Sequence, residues 1–322
     1  MILLRWDENG SSRAALIDAY SPTGKVGSLV KWLRGIGVGG FTFVAVTHPH
    51  LDHLFNLDGI LSAFVGNVEY AWFWPGLNQA AYVMYFNKLA RRFPNSPNML
   101  GTRAAAVSAF FNECDRQFYG LQLGRPVLLP VRALSRIYPV AGASNGMDVL
   151  CISPWEDPSM RFISLVGSGI RAGGVVTDTH RESNLVSAGF VVTYGASQVV
   201  LGGDMEEANW RPLLQSCDCP IFSPCVVKVS HHGSSNGRVS GMWGAAGFLG
   251  KDRPIVVVTP WNQKLPEAKV LDEIKSSGCD TYLTGQQRHR VEEGLSRIHI
   301  RVHEDGRRPD VVFLAPSVKR IQ

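Results

Sequence analysis

Seven consecutive residues, Thr47-His48-Pro49-His50-Leu51-Asp52-His53, bring together three imidazoles and a carboxylate. Burying so many polar side chains without a shared partner is expensive. Neutral imidazole and carboxylate are also the donors of zinc, manganese and iron sites. Upstream, Phe41 to Thr47 is rich in β-branched and aromatic residues, and downstream Leu51 to Phe64 carries apolar residues at helical spacing. The motif therefore sits on a strand-to-helix turn. In an extended turn His48 and His50 project the same way, while Asp52 and His53 open the helix and project toward a neighbouring point, which suits two metal ions side by side. A helix cap needs one oxygen, whereas this loop offers four ligands.

Other chemistry-bearing residues also fall at strand ends. Ala14 to Ile17 reads as a strand ending at Asp18, followed by a turn at Ser21 to Gly24 and an amphipathic helix near Val26 to Gly35. Phe190 to Tyr194 and Gln198 to Gly202 read as a hairpin delivering Asp204, with Gly202 and Gly203 leaving backbone room for a metal. A strand from Val226 to Ser230 runs into His231-His232-Gly233-Ser234. Two adjacent histidines there cannot both face the core. Asp204 and His232 are 28 residues apart, room for a helix and a returning strand. Strands at Ile255 to Thr259 and Thr281 to Thr284 flank a helix from Pro266 to Ser277, with strand-like runs at Ile298 to Val302 and Val311 to Leu314. The glycine-rich stretch Gly167 to Gly174 reads as a flexible loop and lacks the lysine of a phosphate loop.

A chain of 322 residues, 45% hydrophobic and 18% charged, can build a large core. The alternation of strands and helices, without repeat or linker, suggests one domain over 1–322 with a helical, basic and aromatic-rich insert at 69–139. Helices are expected there at Asn78 to Arg92 and Thr102 to Phe118, separated by a break at Phe93 to Asn98. From Tyr70 to Tyr138 there are eight basic residues against two acidic ones, a net +6 where the whole chain is +5. Thirteen aromatics share the stretch. Such a surface can track phosphates and stack bases, or the aromatics can form the insert's own core beneath a solvated arginine face. Charge interrupts the first residues too early for a signal peptide, and no apolar run reaches transmembrane length, so a cytoplasmic protein without membrane contact is expected. Six cysteines in so long a chain are not a disulfide framework, and Cys217-Asp218-Cys219 with Cys225 lacks the paired spacing of a zinc ribbon.

His48-x-His50-x-Asp52-His53 after a hydrophobic strand resembles the signature of the metallo-β-lactamase superfamily, which implies an αββα four-layer sandwich and a binuclear metal centre. The order Asn184-x-x-Ser187, Gly203-Asp204, His231-His232-Gly233-Ser234, Asn262 with Pro266, then Thr281 to Thr284 resembles the metallo-hydrolase domain of ComEC-type competence proteins. By that resemblance His48 and His50 hold one ion, Asp52, His53 and His232 the other, and Asp204 bridges them. Asp18 buttresses the loop, and His231 contacts substrate or protonates the leaving oxygen. The catalytic set is thus Asp52, Asp204 and His231. The glycine-histidine-threonine segment that supplies a third histidine in lactamases is missing, and His180 is its possible substitute. The membrane segments and oligonucleotide-binding domain of ComEC-type proteins are missing too. The implied cofactors are two divalent ions, zinc foremost, with manganese or iron accepted by the same donors. The implied activity is phosphodiester or nucleic-acid hydrolysis, with a small ester, lactone or phosphocholine-type substrate as the alternative. A binding or regulatory subunit that keeps the fold is a second alternative.

Overall fold

The chain starts with a hairpin of β1 (Ile2–Glu8) and β2 (Ser11–Ile17), in register from Ile2 opposite Ile17 to Glu8 opposite Ser11. Asn9 and Gly10 turn it at φ 52° and 77°. This left-handed pair matches the twist of the flanking strands. The structure, a computed structural model, describes residues 1–20, 25–74, 81, 84–85, 88, 91, 100–118, 128–139, 146–171, 182–244, 246–261, 264–284, 297–314 and 318–321. These form a mixed α/β fold with three sheets. The chain divides into two compact units, Met1–Arg132 with Pro154–Ser187, and Ala133–Ser153 with Ala188–Gln322.

In the first unit, α1 (Val26–Gly35) leads to β3 (Phe41–Ala45), then α2 (Leu51–Leu54), α3 (Leu57–Ala63) and β4 (Val68–Phe73). After α4 (Leu100–Phe118) come β5 (Leu128–Pro130), α5 (Glu156–Arg171) and a 3-10 turn at Glu182–Val186. The sheet order is β1-β2-β3-β4-β5, parallel from β2 onward. Every residue of β3 is buried, as a central parallel strand requires. Leu29, Val30 and Leu33 form the buried stripe of α1. Each fully buried side chain of this kind contributes about 1.5–3 kcal/mol.

Two expectations change here. The helical run from Leu51 to Phe64 is broken, because Asn56 adopts φ 64° and re-aims the chain so that Leu54 and Leu57 are both buried. The glycine-rich stretch is not a loop at its start, since α5 runs through Gly167 and Gly169 to Arg171. Phe162 and Val166, one turn apart and fully buried, hold the helix against the core despite the glycines. Ala172 to Gly174 lie outside the described residues, as do the turn at Ser21 to Gly24 and the break at Phe93 to Asn98.

The second unit contains β6 (Arg136–Tyr138), β7 (Met147–Ser153), β8 (Gly189–Tyr194), β9 (Ser197–Leu201) and α6 (Glu207–Gln215). Then follow β10 (Val226–Lys228), a 3-10 turn at Ser230–Gly233, β11 (Ile255–Val258), α7 (Ala268–Ser276) and β12 (Asp280–Leu283). The chain ends with β13 (Ile298–Arg301), β14 (Asp310–Leu314) and β15 (Lys319–Ile321). The eight-stranded order is β15-β12-β11-β10-β9-β8-β7-β6, parallel only across β9 to β12. The β13–β14 hairpin lays Ile298, Ile300 and Val311 on the cluster of Val226, Ile255, Val257 and Tyr282.

The stretch 69–139 is therefore more than helix, because most of β4 and all of β5 belong to the first sheet and β6 to the second. Between β4 and β5, α4 covers the expected Thr102 to Phe118, while of 78–92 only Ala81, Met84, Tyr85, Lys88 and Arg91 are described, all helical. Trp74, Tyr85, Phe110 and Phe111 are at most 1% exposed, and Trp74 meets Phe110 and Phe111 at 6.3 and 5.6 Å between ring centres. These aromatics form a core rather than a base-stacking surface. Among the described residues no helix is long and apolar enough to cross a membrane.

Candidate metal centre

One group of candidate ligands is built at the carboxyl ends of β2 and β3 in the first unit, where ligand sites of parallel sheets lie. Asp18 directly follows β2 and is 5% exposed. Its backbone N–H donates to the Ala45 carbonyl at 2.8 Å, placing its carboxylate under the loop that follows β3. One carboxylate oxygen accepts the Thr47 backbone N–H at 2.8 Å, and the other accepts the Thr47 hydroxyl at 2.9 Å and His53 Nδ1 at 2.7 Å. Burial alone would raise the Asp18 carboxyl, but the His53 imidazole and the Thr47 N–H hold it below its ordinary value. The carboxylate thus keeps the His53 proton on Nδ1 and turns Nε2 toward Asp52, 3.3 Å away.

His48, fully buried, is held in the same manner, with Nδ1 3.0 Å from the Thr47 hydroxyl and 3.5 Å from the Ser187 hydroxyl. Its Nε2 lies 2.7 Å from His50 Nδ1. Two ring nitrogens this close, with Asp52 and His53 following on the same loop, are donors of the kind a metal ion takes. Behind the loop stands Arg103 of α4, 1% exposed. Its Nε donates to the Pro49 carbonyl, between two candidate ligands, and its Nη2 to the Ser183 hydroxyl. Ser183 adjoins Asn184, which is buried on the 3-10 turn. Arg103 is thus a buried strut and not part of a basic surface. Arg116, counted with it in the sequence, is bonded to Glu113 at 2.6 Å, and Arg136 belongs to the second unit, 3.0 Å from Asp148.

In the second unit, candidate ligands lie at the carboxyl ends of β9, β10 and β11. Asp204 is 3% exposed, with His232 Nε2 3.7 Å from its carboxylate. His232 Nδ1 donates to the Thr259 carbonyl at 2.8 Å, so its other nitrogen points at a carboxylate too. His231 turns elsewhere, its Nδ1 3.2 Å from Glu206, whose carboxylate also accepts the Asn236 amide at 2.9 Å. Both histidines have positive φ, 43° and 55°, which is how neighbours come to face different partners. The room at Gly202 serves the fold: a Cβ there would fall 2.1 Å from the Ser230 hydroxyl. Trp261 packs its ring on His232, 5.5 Å between centres.

Sequence reasoning missed Thr47, Arg103, Thr259, Glu206 and Trp261. Thr47 and Glu206 adjoin the motifs and were within reach of it, whereas the others contact the site only through the fold. His180 and Asn262 lie outside the described residues. The thiols of Cys217, Cys219 and Cys225 are free and, among the described residues, join no group able to hold a metal. A cavity of about 560 Å³ lined by Arg5, Arg13, Gly40 and Asn67 opens at the amino ends of β3 and β4, the opposite end of the sheet from the metal loop.

No protein-family model matches the chain, and no curated protein matches it. Among solved structures, the chain is similar to Zn(2+)-bound PqqB from Methylobacterium extorquens, with a TM-score of 0.39, 11% identity, and coverage of 87% of this chain and 84% of that one. It is also similar to a long form RNase Z from yeast, with a TM-score of 0.32, 10% identity, and coverage of 70% of this chain and 30% of that one. At TM-scores this low the likenesses carry no weight, and the functional reading stands on the side chains.

Proposed function

We propose that the chain is a metal-dependent hydrolase of the metallo-β-lactamase superfamily, with the αββα four-layer arrangement, and that it cleaves phosphodiesters. One observation carries this: His48, His53 and His232 each have Nδ1 fixed by an oxygen of the fold, leaving Nε2 within 2.7–3.7 Å of another candidate ligand. Tautomers fixed this way are what ligating imidazoles require. In this reading His48, His50, Asp52, His53, Asp204 and His232 would hold the metal. Two divalent ions, zinc first with manganese or iron as substitutes, would supply an activated water near neutral pH and stabilise charge growing on a phosphoryl oxygen. Asp52 also orients the nucleophile. His231, 3.2 Å from Glu206, would give a proton to the leaving oxygen.

A second reading, a small ester or phosphoester, is favoured by the buried aromatics and the buried Arg103, which leave less surface for a polymer. The test is hydrolysis of single- and double-stranded DNA and RNA, small phosphodiesters, phosphocholine esters and lactones by metal-loaded protein, beside Asp52→Ala and Asp204→Ala. Two ions per chain with phosphodiester cleavage abolished in both variants is the expected result. Cleavage confined to lactones or carboxylic esters refutes the phosphodiester reading. Bound metal without turnover on any substrate would leave a binding protein that keeps the fold.

A further inference from the structure

The chain has eight tryptophans. Five of them, Trp6, Trp72, Trp74, Trp210 and Trp243, are buried, and among the described residues Trp261 is the exposed one, at 43%. An open indole is the costliest apolar side chain to leave in water. The described residues around it are anchored. The Thr259 carbonyl accepts His232 Nδ1, the Leu265 N–H bonds back to the Trp261 carbonyl at 3.3 Å, and the Glu267 N–H donates to the Gly233 carbonyl at 3.0 Å. Glu267 also accepts the Ser235 backbone N–H at 2.8 Å. Thr259 and Glu267, on either side of Trp261, are thus fastened to the His231-His232-Gly233 turn. The indole packs on the His232 ring at an angle of 32° and keeps 43% of its surface exposed.

We propose that Trp261 is a specificity-determining residue that stacks a planar aromatic ring of the substrate, such as a nucleobase, beside the scissile phosphoryl group. The inference rests on the phosphodiester reading for the identity of that group. A neutral ring is favoured over a quaternary ammonium because a dication at His232 and its co-ligands would repel a cation on this face. A single base can stack here although the insert's aromatics are buried, so the ring reconciles phosphodiester chemistry with a nucleotide-sized substrate.

The test is calorimetric binding of adenosine 5′-monophosphate, ribose 5-phosphate and phosphocholine to the zinc-loaded full chain, as wild type, Trp261→Phe and Trp261→Leu. Wild type should prefer the nucleotide to ribose 5-phosphate by roughly tenfold, within the range that base stacking on an aromatic side chain provides. Phenylalanine should keep most of that ratio. Leucine, which retains apolar bulk without a π face, should bring it below about twofold. An equal ratio in all three proteins, no nucleotide preference in wild type, or a phosphocholine preference lost in the leucine variant would each overturn the proposal. A nucleotide preference lost on Trp261→Leu in a protein that cleaves no phosphodiester would sink the activity reading alone. Phosphodiester cleavage without any preference for the ring would sink only the stacking.

Discussion

Replacing Asp18 by asparagine isolates the contribution of a residue that need not touch metal at all. Asparagine keeps an oxygen for the Thr47 N–H, now 2.8 Å away, but puts an amide NH2 where Oδ2 accepts the Thr47 hydroxyl and His53 Nδ1. His53 can then meet that amide only by giving up its Nδ1 proton. The proton moves to Nε2, the nitrogen that faces Asp52 at 3.3 Å and that a metal needs bare. Loss of such a partner costs about 10- to 100-fold in metal affinity, equivalent to about 1.4–2.7 kcal/mol. A competition titration of zinc against a chromogenic chelator reads this directly. Asp18→Asn binding zinc within twofold of wild type would refute the reasoning.

The same carboxylate gives a pH signature in metal-free protein. Its folded-state pKa lies below the ordinary 3.8, so the unfolded chain takes up the proton first as the pH falls. The stability it contributes is therefore present above 3.8 and is lost as the pH drops through the lowered folded value. Urea midpoints of wild type should fall through that window, and those of Asp18→Asn should fall less steeply.

Arg103→Lys keeps the charge but cannot fork between the Pro49 carbonyl and the Ser183 hydroxyl, so one charge-assisted bond is lost, about 1.5–3 kcal/mol in urea unfolding, with weaker zinc binding. A change within about 0.5 kcal/mol would return Arg103 to an ordinary surface role. Gly202→Ala forces a Cβ to 3.0 Å from the Ser230 Cα, and overpacking of this kind should lower stability by about 1–3 kcal/mol; an unchanged urea midpoint contradicts the packing described. Alkylation of native protein at pH 8 followed by mass spectrometry should label exposed Cys217 and spare buried Cys114, Cys151 and Cys279. Burial pushes the Cys279 thiol up to about 11, so its labelling at the rate of Cys217 would show that region to be open.

What could be read from the sequence was local. The buried strand β3, helix α1 over Val26–Gly35, and the β8–β9 hairpin follow from residue type and period alone. The opening hairpin was equally legible but went unread, because Asn9-Gly10 between apolar runs is a strong turn signal even where charges interrupt the first strand. Strand order could not be read, since β15 beside β12 pairs Ile321 with Thr281 across forty residues of chain. Nor could the fate of the insert's charges and rings. A guanidinium that reaches 54 positions back to Pro49 has the same composition as one in water.

The candidate site shows the same division, with one further cause. Its donors stand in plain sequence, but their aim depends on backbone that L-residues avoid. Asp18, His231 and His232 have φ of 52°, 43° and 55°, a left-handed conformation that costs a residue with a Cβ roughly 1–2 kcal/mol. In a strand, adjacent histidines would diverge by alternation. Here they diverge because two consecutive left-handed residues swing His231 to Glu206 and His232 to Asp204. Each strained residue is held by a bond from the neighbouring strand end: Asp18 N–H to the Ala45 carbonyl, His231 N–H to the Gly203 carbonyl, and His232 Nδ1 to the Thr259 carbonyl. Strain concentrated on candidate site residues, and offset by the framework, is how a fold can hold functional groups in place before any ligand arrives. The motif therefore announces the chemistry, while the orientation that makes it usable comes from carbonyls at the ends of other strands.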